Sequence, residues 1–260
     1  MRIALFSDVH GNLTALEAVL ADIKKQSPDL TIFAGDLCLF GAHPAECIAR
    51  LQQEEFSFIR GNTDEALSNQ PLLSRHIEAE KKERRQDIDN IVEWTWSQLN
   101  AEQRAWLQAL PEQRRISPTP HPKDDLYVVH ANPQDTTQPI YPTAEKQQAI
   151  YGEIKQPDDD PDLRHLLQDL ICGILAFGHI HIPNIRYWQD IVLANISSVS
   201  LAQDGDQRAK YGLLTWRNND GWQINHQYVT YDLDAELDLL AEKQPPGWES
   251  LAQRLQNALP

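Results

Sequence analysis

The chain has 260 residues, enough to bury one large hydrophobic core, and an α/β fold of this size is commonly a single domain. Its 23 basic and 38 acidic residues leave a net charge of -15 at pH 7. This charge is unfavourable for wrapping the phosphate backbone of a long nucleic acid, so we exclude long nucleic acids from the expected partners.

Cysteine content and apolar run lengths bear on the cellular compartment. Cys38, Cys47 and Cys172 show no CxxC spacing, which is typical of buried thiols in a reducing compartment rather than of a disulfide framework. The apolar run at residues 3–6 is too short for a signal peptide, and no stretch of about 18 apolar residues would span a bilayer. We therefore expect a cytoplasmic protein without membrane attachment.

In chain order, the first predicted element is a strand over residues 3–6, followed by Asp8 and His10. Because side chains alternate along a strand, two residues spaced by two can project to the same side and chelate a metal ion. Gly11 allows a sharp turn, and Asn12 can cap the helix predicted by the apolar spacing that follows. A D-x-H pair alone is weak evidence, since it also occurs in ordinary solvated turns.

The same arrangement recurs four times further along the chain. The run at 30–34 leads into Asp36, and the run at 56–59 leads into Asn62 and Asp64. The run at 126–129 leads into His130, and the run at 173–177 leads into His179 and His181. Ligands of α/β sheets bind beyond the carboxyl ends of the strands, so we expect all five strand ends to meet at one site. Glycine precedes the ligand in three cases, Gly35, Gly61 and Gly178, where it permits close backbone approach.

The remaining elements surround this pattern. We predict a helical insertion over about 65–111, whose position after Asn62 makes it a candidate wall of the substrate opening, and a helix carrying apolar residues between 163 and 170. Strands are predicted at 185–188, 191–194, 213–216 and 222–231, with a hairpin turn at 218–221. A C-terminal helical tail over about 233–260 is interrupted by the Pro-Pro-Gly sequence at 245–247.

The candidate donor set is mixed in oxygen and nitrogen and contains no thiolate. Its seven members are Asp8, His10, Asp36, Asn62, His130, His179 and His181. Such a set suits divalent Mn, Fe, Ni, Zn, Co or Mg better than a structural zinc site rich in cysteine. Seven ligands are too many for one ion, so two ions sharing a bridging carboxylate are expected.

The candidate residues form an ordered series of motifs from Asp8 to His181, namely DxH, GD, GN-x-D, H and GHxH. This series resembles the motifs of the calcineurin-like metallophosphoesterase superfamily. Residues 195–200 and 204–211, NISSVS and DGDQRAKY, are similar to a segment of the bacterial branch labelled predicted phosphodiesterases. The resemblance implies a four-layer αββα sandwich of two packed mixed sheets flanked by helices, forming a single domain over 1–260.

The resemblance also implies roles for the seven residues. Asp36 would bridge two metal ions, and a water shared by the ions would be the nucleophile. One ion would be held by Asp8, His10 and His181, and the other by Asn62, His130 and His179. This assignment agrees with the donor chemistry, because a carboxylate between two cations offsets their repulsion.

Three positions depart from the family pattern. Thr63, which precedes Asp64 in the GNH(D/E)-type motif, replaces a histidine taken to protonate the leaving group; its absence favours activated leaving groups or another proton donor. Phe40 stands where the protein phosphatases of the superfamily carry a phosphate-binding arginine, which argues against a phosphoprotein substrate. Ser197 and Ser200 replace glycines in the loop of the bacterial branch.

Four residues are candidates for catalytic or substrate contacts outside the ligand set. His43 is a candidate replacement proton donor, with helix entry as the alternative role. Arg60 could contact phosphate or pair with a surface acid. Asn12 and Arg208 complete the candidate substrate contacts.

These observations predict a two-metal hydrolase of a small phosphoester, with a phosphodiester favoured over a monoester. A nucleotidase or other monoesterase, and a hydrolase of dinucleoside polyphosphates, are alternatives. A catalytically weak metal-binding scaffold is the non-enzymatic alternative. A hydrolase with a single metal ion is a further alternative, which predicts that some of the seven ligands lie apart in the fold. An oligomer is compatible with the sequence.

Overall fold

Two five-stranded sheets form the centre of the fold in the computed structural model, which describes residues 1–68 and 82–259. The strands are β1 (Arg2–Phe6), β2 (Leu30–Ala34), β3 (Ser57–Ile59), β4 (Gln113–Ile116), β5 (Leu126–Val129), β6 (Ile174–Phe177), β7 (Asn184–Trp188), β8 (Ile191–Asn195), β9 (Ala209–Arg217) and β10 (Gly221–Val229). The helices are α1 (Leu13–Gln26), α2 (Pro44–Leu51), α3 (Asn62–Ser68), α4 (Lys82–Gln98), α5 (Ala101–Ala109), α6 (Ala144–Tyr151), α7 (Pro161–Leu167), α8 (Leu233–Lys243) and α9 (Trp248–Asn257).

Both sheets are mixed. The first has the order β10-β9-β1-β2-β3, in which β1, β2 and β3 are parallel, β9 is antiparallel to β1, and β10 is antiparallel to β9. The second has the order β4-β5-β6-β8-β7, in which β5, β6 and β8 are parallel and the two edge strands are antiparallel. The parallel strands point their carboxyl ends toward the same edge of each sheet, which places the loops that follow them together.

Strand alternation divides the side chains between two sides of each sheet. In β1, Ile3 and Leu5 belong to the core shared with Val128 and Ile174 of the second sheet, whereas Phe6 faces the helices on the other side. The two sheets therefore pack face to face. Helix α1 covers the first sheet and α7 covers the second, so the predicted αββα sandwich is confirmed.

The helices predicted after Asn62 are present within the described ranges as α3, α4 and α5. Helix α5 begins with a capping box. The Asn100 side chain accepts a hydrogen bond from the Gln103 backbone N–H, and the Gln103 side chain accepts one from the Asn100 backbone N–H. Trp94, Trp96 and Trp106 pack against the core on the helical side of the first sheet. Part of the predicted insertion, residues 69–81, lies outside the described ranges.

Two elements were not predicted. Strand β4 is charged and mostly exposed, and it forms at the edge of the second sheet by antiparallel pairing with β5. Helix α6 lies in a region for which no element was predicted. In the C-terminal part, β9 begins earlier than predicted, at Ala209, because it pairs along its full length with β10. The expected hairpin between these strands is present.

Cys38, Cys47 and Cys172 are buried and unpaired, as expected from their spacing. Among residues 1–68 and 82–259, no helix has the length and apolar character needed to cross a membrane.

Candidate metal centre

The loops that follow the central strands are joined by backbone hydrogen bonds. The Asp8 N–H donates to the Gly35 carbonyl at 2.9 Å, and the Gly178 N–H donates to the His130 carbonyl at 3.0 Å. The first bond joins the loops after β1 and β2, and the second joins the loops after β5 and β6. As a result, the seven predicted ligands converge at one edge of the sandwich.

One group of ligands comes from the ends of β1 and β6. Nε2 of His181 lies 3.1 Å from Asp8 Oδ1 and 3.2 Å from Nε2 of His10. All three side chains are buried, and their ligand atoms lie within 4.8 Å of one another. This geometry is suitable for holding one metal ion.

A second group lies beside the first. Asp36, His130 and His179 also place their ligand atoms within 4.8 Å of one another. Oδ1 of Asn62 lies 3.0 Å from Nε2 of His130 and 3.0 Å from Nδ1 of His179. The amide oxygen therefore belongs to this group, as the GN motif predicts.

Asp36 lies between the two groups. Its Oδ1 is 3.4 Å from Nε2 of His130, and its Oδ2 is 3.9 Å from Nε2 of His10. Each carboxylate oxygen thus faces one group, which is the arrangement expected of a bridging ligand.

The second ring nitrogen of three histidines determines which atom is available to a metal. Nδ1 of His10 donates to the Leu39 carbonyl at 3.1 Å, Nδ1 of His130 to the Ala34 carbonyl at 2.9 Å, and Nδ1 of His181 to the Leu201 carbonyl at 2.8 Å. Because a carbonyl can only accept, Nδ1 carries the proton and Nε2 of the neutral ring has a lone pair.

Nε2 of His10 and Nε2 of His181 lie 3.2 Å apart in a buried site. When both rings are neutral, these two acceptors do not satisfy each other, and a cation beside both of them would. The residues present thus fit a pair of divalent metal ions, on the evidence of donor type, convergence and tautomer.

Charges within the site shift the carboxyl pKa values downward. Burial alone would raise the pKa of Asp8, but the charge and hydrogen bond of His181 hold it below its usual range. The same competition holds for Asp36, whose pKa burial would raise and His130 lowers. Both carboxylates are therefore ionised and ready to bind a cation at neutral pH.

The histidines divide into two classes. Burial and the charge of His181 lower the pKa of His10 to about 4, and burial and the charge of His130 lower that of His179 to about 4. Burial also disfavours the charged form of His130, but the Asp36 carboxylate raises its pKa to about 10. His130 is therefore the candidate ligand from which a bound metal would have to displace a proton.

The backbone at the ligands is locally strained. Five of the seven ligand residues have left-handed φ values between 50° and 69°, namely Asp8, His10, Asp36, His179 and His181. Asp and His tolerate this region better than β-branched residues, but each such residue still has a conformational cost. The clustering of strained residues at one site is typical of a functional centre.

The three predicted glycines allow the loops to approach closely. A Cβ on Gly35 would lie 2.4 Å from the Gly61 nitrogen, one on Gly61 2.1 Å from Asp36 Oδ1, and one on Gly178 2.3 Å from Asp8 Oδ2. The expected close backbone approach is therefore confirmed at all three positions.

Asp64 has a role that the sequence did not reveal. Its carboxylate accepts from the backbone N–H groups of Asp36 at 2.8 Å, Leu37 at 2.9 Å and Gly61 at 2.9 Å. It thus joins the loops after β2 and β3 beneath the ligands. Burial and the Asp36 charge raise the pKa of Asp64 to about 6, although the three hydrogen bonds oppose this shift. We interpret Asp64 as a residue that positions Asp36.

Thr63 follows Asn62 at the position of the missing histidine. Its backbone N–H donates to Asp36 Oδ1 at 2.9 Å. Its hydroxyl is buried and has no hydrogen-bond partner among the described residues. The backbone of Thr63 therefore supports the bridging carboxylate, whereas the structure assigns no partner to its side chain.

The predicted substrate contacts are bonded elsewhere. The Asn12 side chain caps α1 by accepting from Ala15 N–H at 2.8 Å, and it donates to Ser200 Oγ at 3.2 Å. Arg60 pairs with the exposed carboxylate of Glu112, in agreement with the alternative role of pairing with a surface acid. Arg208 is exposed, pairs with Asp206 and lies over the Tyr228 ring. Substrate contact by these residues remains a prediction.

His43 and Phe40 lie in the loop between β2 and α2. His43 precedes α2, its Nδ1 is buried without a partner among the described residues, and burial lowers its pKa. The charged groups that affect that pKa are Glu46, Glu242 and Lys243, so its role as proton donor remains a prediction. Phe40 packs against the His10 ring, with ring centroids 5.4 Å apart.

Comparison with known proteins gives three kinds of match. The family model for the calcineurin-like phosphoesterase superfamily domain matches residues 1–219. Uncharacterized protein MJ0912 of Methanocaldococcus jannaschii is 24% identical over 275 residues, covering 97% of this chain and 96% of the relative.

Two solved structures share the fold over nearly the whole chain. A metallophosphoesterase from Sphaerobacter thermophilus superposes with a TM-score of 0.73 at 23% identity, covering 100% of both chains. Hypothetical protein PH1004 from Pyrococcus horikoshii OT3 superposes with a TM-score of 0.74 at 17% identity, covering 98% of this chain and 97% of that one.

Proposed function

The chain belongs to the calcineurin-like phosphoesterase superfamily, and from this premise we propose that it is a two-metal phosphodiesterase acting on a small phosphoester. One observation carries the proposal. Two groups of candidate ligands lie side by side, Asp36 of the second group lies 3.9 Å from His10 of the first, and Nε2 of His10 lies 3.2 Å from Nε2 of His181. The metal ions would be divalent, and Mn, Fe, Ni, Zn, Co and Mg all suit this donor set.

The protein's contribution to the reaction follows from the ligand geometry. When bound, a metal pair supplies Lewis-acid charge and an activated water for in-line displacement at phosphorus. Asp36 would contribute a carboxylate oxygen to each metal position, and Asp64 accepts a hydrogen bond from the Asp36 backbone N–H. The carbonyls of Leu39, Ala34 and Leu201 keep each imidazole in the tautomer that binds metal through Nε2.

Two features favour an activated phosphodiester. Phe40 packs against the His10 ring and brings no positive charge to the site at this position, and a monoester dianion would gain more from such a charge than a diester monoanion. Thr63 supplies no imidazole to protonate the leaving group, so good leaving groups should react far faster than poor ones. The loss of a general acid typically costs about 10²–10⁴-fold.

The first experiment measures hydrolysis of bis-p-nitrophenyl phosphate and p-nitrophenyl phosphate after chelation and return of Mn, Ni, Mg or Zn. We expect metal-dependent turnover with a preference for the diester, abolished by Asp36→Ala and by His130→Ala. His121→Ala is the matched control, because this exposed histidine lies outside the ligand groups.

The outcomes separate the proposal from its alternatives. A preference for the monoester would favour a monoesterase or nucleotidase, and turnover confined to dinucleoside polyphosphates would favour that third class of substrate. Binding of two ions without turnover of any ester would support the metal-binding scaffold, for which Thr63 is the specific observation. One ion per chain in an active enzyme would support the mononuclear alternative.

A further inference from the structure

Ser7 lies between the end of β1 and the candidate ligand Asp8, and it is completely buried. Its Oγ is 2.5 Å from Asp8 Oδ2 and 3.3 Å from the Ser197 carbonyl oxygen. The carboxylate oxygen is the nearer acceptor, so the Ser7 O–H donates to Asp8. Ser7 was not predicted as a site residue, yet it contacts a candidate metal ligand directly.

The two oxygens of the Asp8 carboxylate have different surroundings. Oδ2 accepts from the Ser7 hydroxyl and from the His179 backbone N–H at 3.1 Å. Oδ1 lies 3.1 Å from Nε2 of His181 and 3.8 Å from Nε2 of His10, the other members of the first ligand group. The two donors therefore hold the carboxylate in the orientation that directs Oδ1 toward the imidazoles.

Gly178 provides the space for the contact between hydroxyl and carboxylate. A Cβ on Gly178 would lie 2.2 Å from Ser7 Oγ and 2.3 Å from Asp8 Oδ2, so a side chain there would displace both partners. Ser7 and Asp8 are both fully buried, and bulk water does not reach the carboxylate to replace the hydroxyl as a donor. Orientation of Asp8 thus depends on donors from the protein itself.

The carboxylate of the second group has different support. Asp36 Oδ1 accepts from the Thr63 backbone N–H, and the Asp36 backbone N–H donates to Asp64. Among residues 1–68 and 82–259, the ligand side chain bonded to the Ser7 hydroxyl is that of Asp8. Loss of this hydroxyl should therefore affect the first metal position more than the second.

We propose that Ser7 is a positioning residue for the first metal position. Its hydroxyl holds Asp8 Oδ2, which leaves Oδ1 available to the ion that Asp8 shares with His10 and His181. The inference rests on the proposed function, because it assumes two divalent ions, and it adds a residue that orients one of their ligands. Ser7 then controls the affinity for one ion without being a ligand.

The test measures Mn²⁺ binding to the chelated protein by calorimetry, for the unmodified chain and for Ser7→Ala. We expect the affinity for one of the two ions to fall by about tenfold to a hundredfold, the usual effect of removing a residue that orients a metal ligand, and the affinity for the other to change less. Electron paramagnetic resonance gives a second readout. At a Mn²⁺ concentration that fills both positions of the unmodified protein, Ser7→Ala should show the spectrum of an isolated ion instead of a coupled pair.

Two further variants separate positioning from packing. Ser198→Ala removes another fully buried hydroxyl, one that has no hydrogen-bond partner among the described residues, and it should leave both affinities unchanged. Ser7→Cys keeps a weaker donor, and its thiol competes poorly for Mn²⁺, which prefers oxygen ligands. The affinity of Ser7→Cys should therefore lie between those of the unmodified protein and Ser7→Ala, and this variant keeps the test decisive if Ser7→Ala does not fold.

Unchanged Mn²⁺ affinities in the Ser7 variants would overturn the inference, as would an equal loss in Ser198→Ala. Failure of the proposed function would be recognised separately, because the test involves no ester. A protein that binds two ions with the expected dependence on Ser7 but hydrolyses no ester keeps the positioning role of Ser7 and loses the enzymatic assignment.

Discussion

Replacing Gly61 by alanine should disable the metal centre through a single methyl group. The added Cβ would lie 2.1 Å from Asp36 Oδ1 and 2.7 Å from the Asp36 nitrogen. Ordinary contacts begin at 3.4 Å, so the carboxylate must move by about 1.3 Å. The two loops cannot easily shift to relieve this contact, because the Asp64 carboxylate accepts hydrogen bonds from the backbone N–H groups of both Gly61 and Asp36.

The size of this displacement determines the expected loss. Metal–ligand distances vary by only about ±0.2 Å, so a bridging carboxylate displaced by more than an ångström would be outside the ligand distance at both metal positions. We expect the Gly61→Ala variant to retain less than two ions per chain after dialysis against Mn²⁺. Its turnover of bis-p-nitrophenyl phosphate should fall by about a hundredfold or more, the usual consequence of misplacing a reacting group by about 1 Å.

The assay combines metal analysis, turnover and thermal unfolding. Gly205→Ala is the matched control, because its added methyl meets no atom within 4 Å and its positive φ adds only backbone strain. This control should lose some stability but keep both ions. A Gly61→Ala protein with two ions and undiminished turnover would refute the bridging role of Asp36.

Three further predictions concern protons and caps. Burial raises the pKa of Glu236 to about 7, so the folded state prefers the protonated carboxyl group and loses stability as the pH rises from about 4.5 through 7. Glu236→Gln should therefore stabilise the protein by at most about 3 kcal/mol at pH 8 and by less at pH 5.5. Melting temperatures that differ equally at both pH values would contradict this account. Because the pKa of His130 is about 10 without metal, Mn²⁺ binding at pH 8 should release close to one proton, and the affinity for Mn²⁺ should rise about tenfold per pH unit. Calorimetry in two buffers of different ionisation enthalpy measures the proton release. Binding without proton release would show that the imidazole is already neutral. Asn12→Ala removes the cap of α1 and should lower the free energy of unfolding by about 1 kcal/mol in urea titrations, whereas an unchanged value would argue against the cap.

Much of the fold was predictable because its signals are local. Five apolar runs predicted β1, β2, β3, β5 and β6, and the residue types after them predicted a ligand set that converges in the structure. The close approach at Gly35, Gly61 and Gly178 was predictable for the same reason, since the absence of a Cβ beside a ligand lets a neighbouring loop come near. The helices of the insertion and the tail followed from apolar spacing and caps.

The remaining features depend on contacts that are distant in sequence. Strand β4 has the sequence QRRI, with no apolar run, and exists because the edge of β5 offers backbone partners. Asp64 was expected at the reaction centre, but its three backbone donors come from two different loops, which sequence alone does not bring together. The contact between Ser7 and Asp8 needs the space at Gly178, which is separated from them by more than half the chain.

The acceptors of the three imidazole N–H groups are all main-chain carbonyls. Any residue at positions 34, 39 and 201 presents the same carbonyl, provided that the loop keeps its course. Substitutions at these buried positions that preserve the loop would therefore keep the acceptors that orient the three imidazoles. Phe40, one position from Leu39, can therefore be replaced without removing the carbonyl that orients the His10 ring.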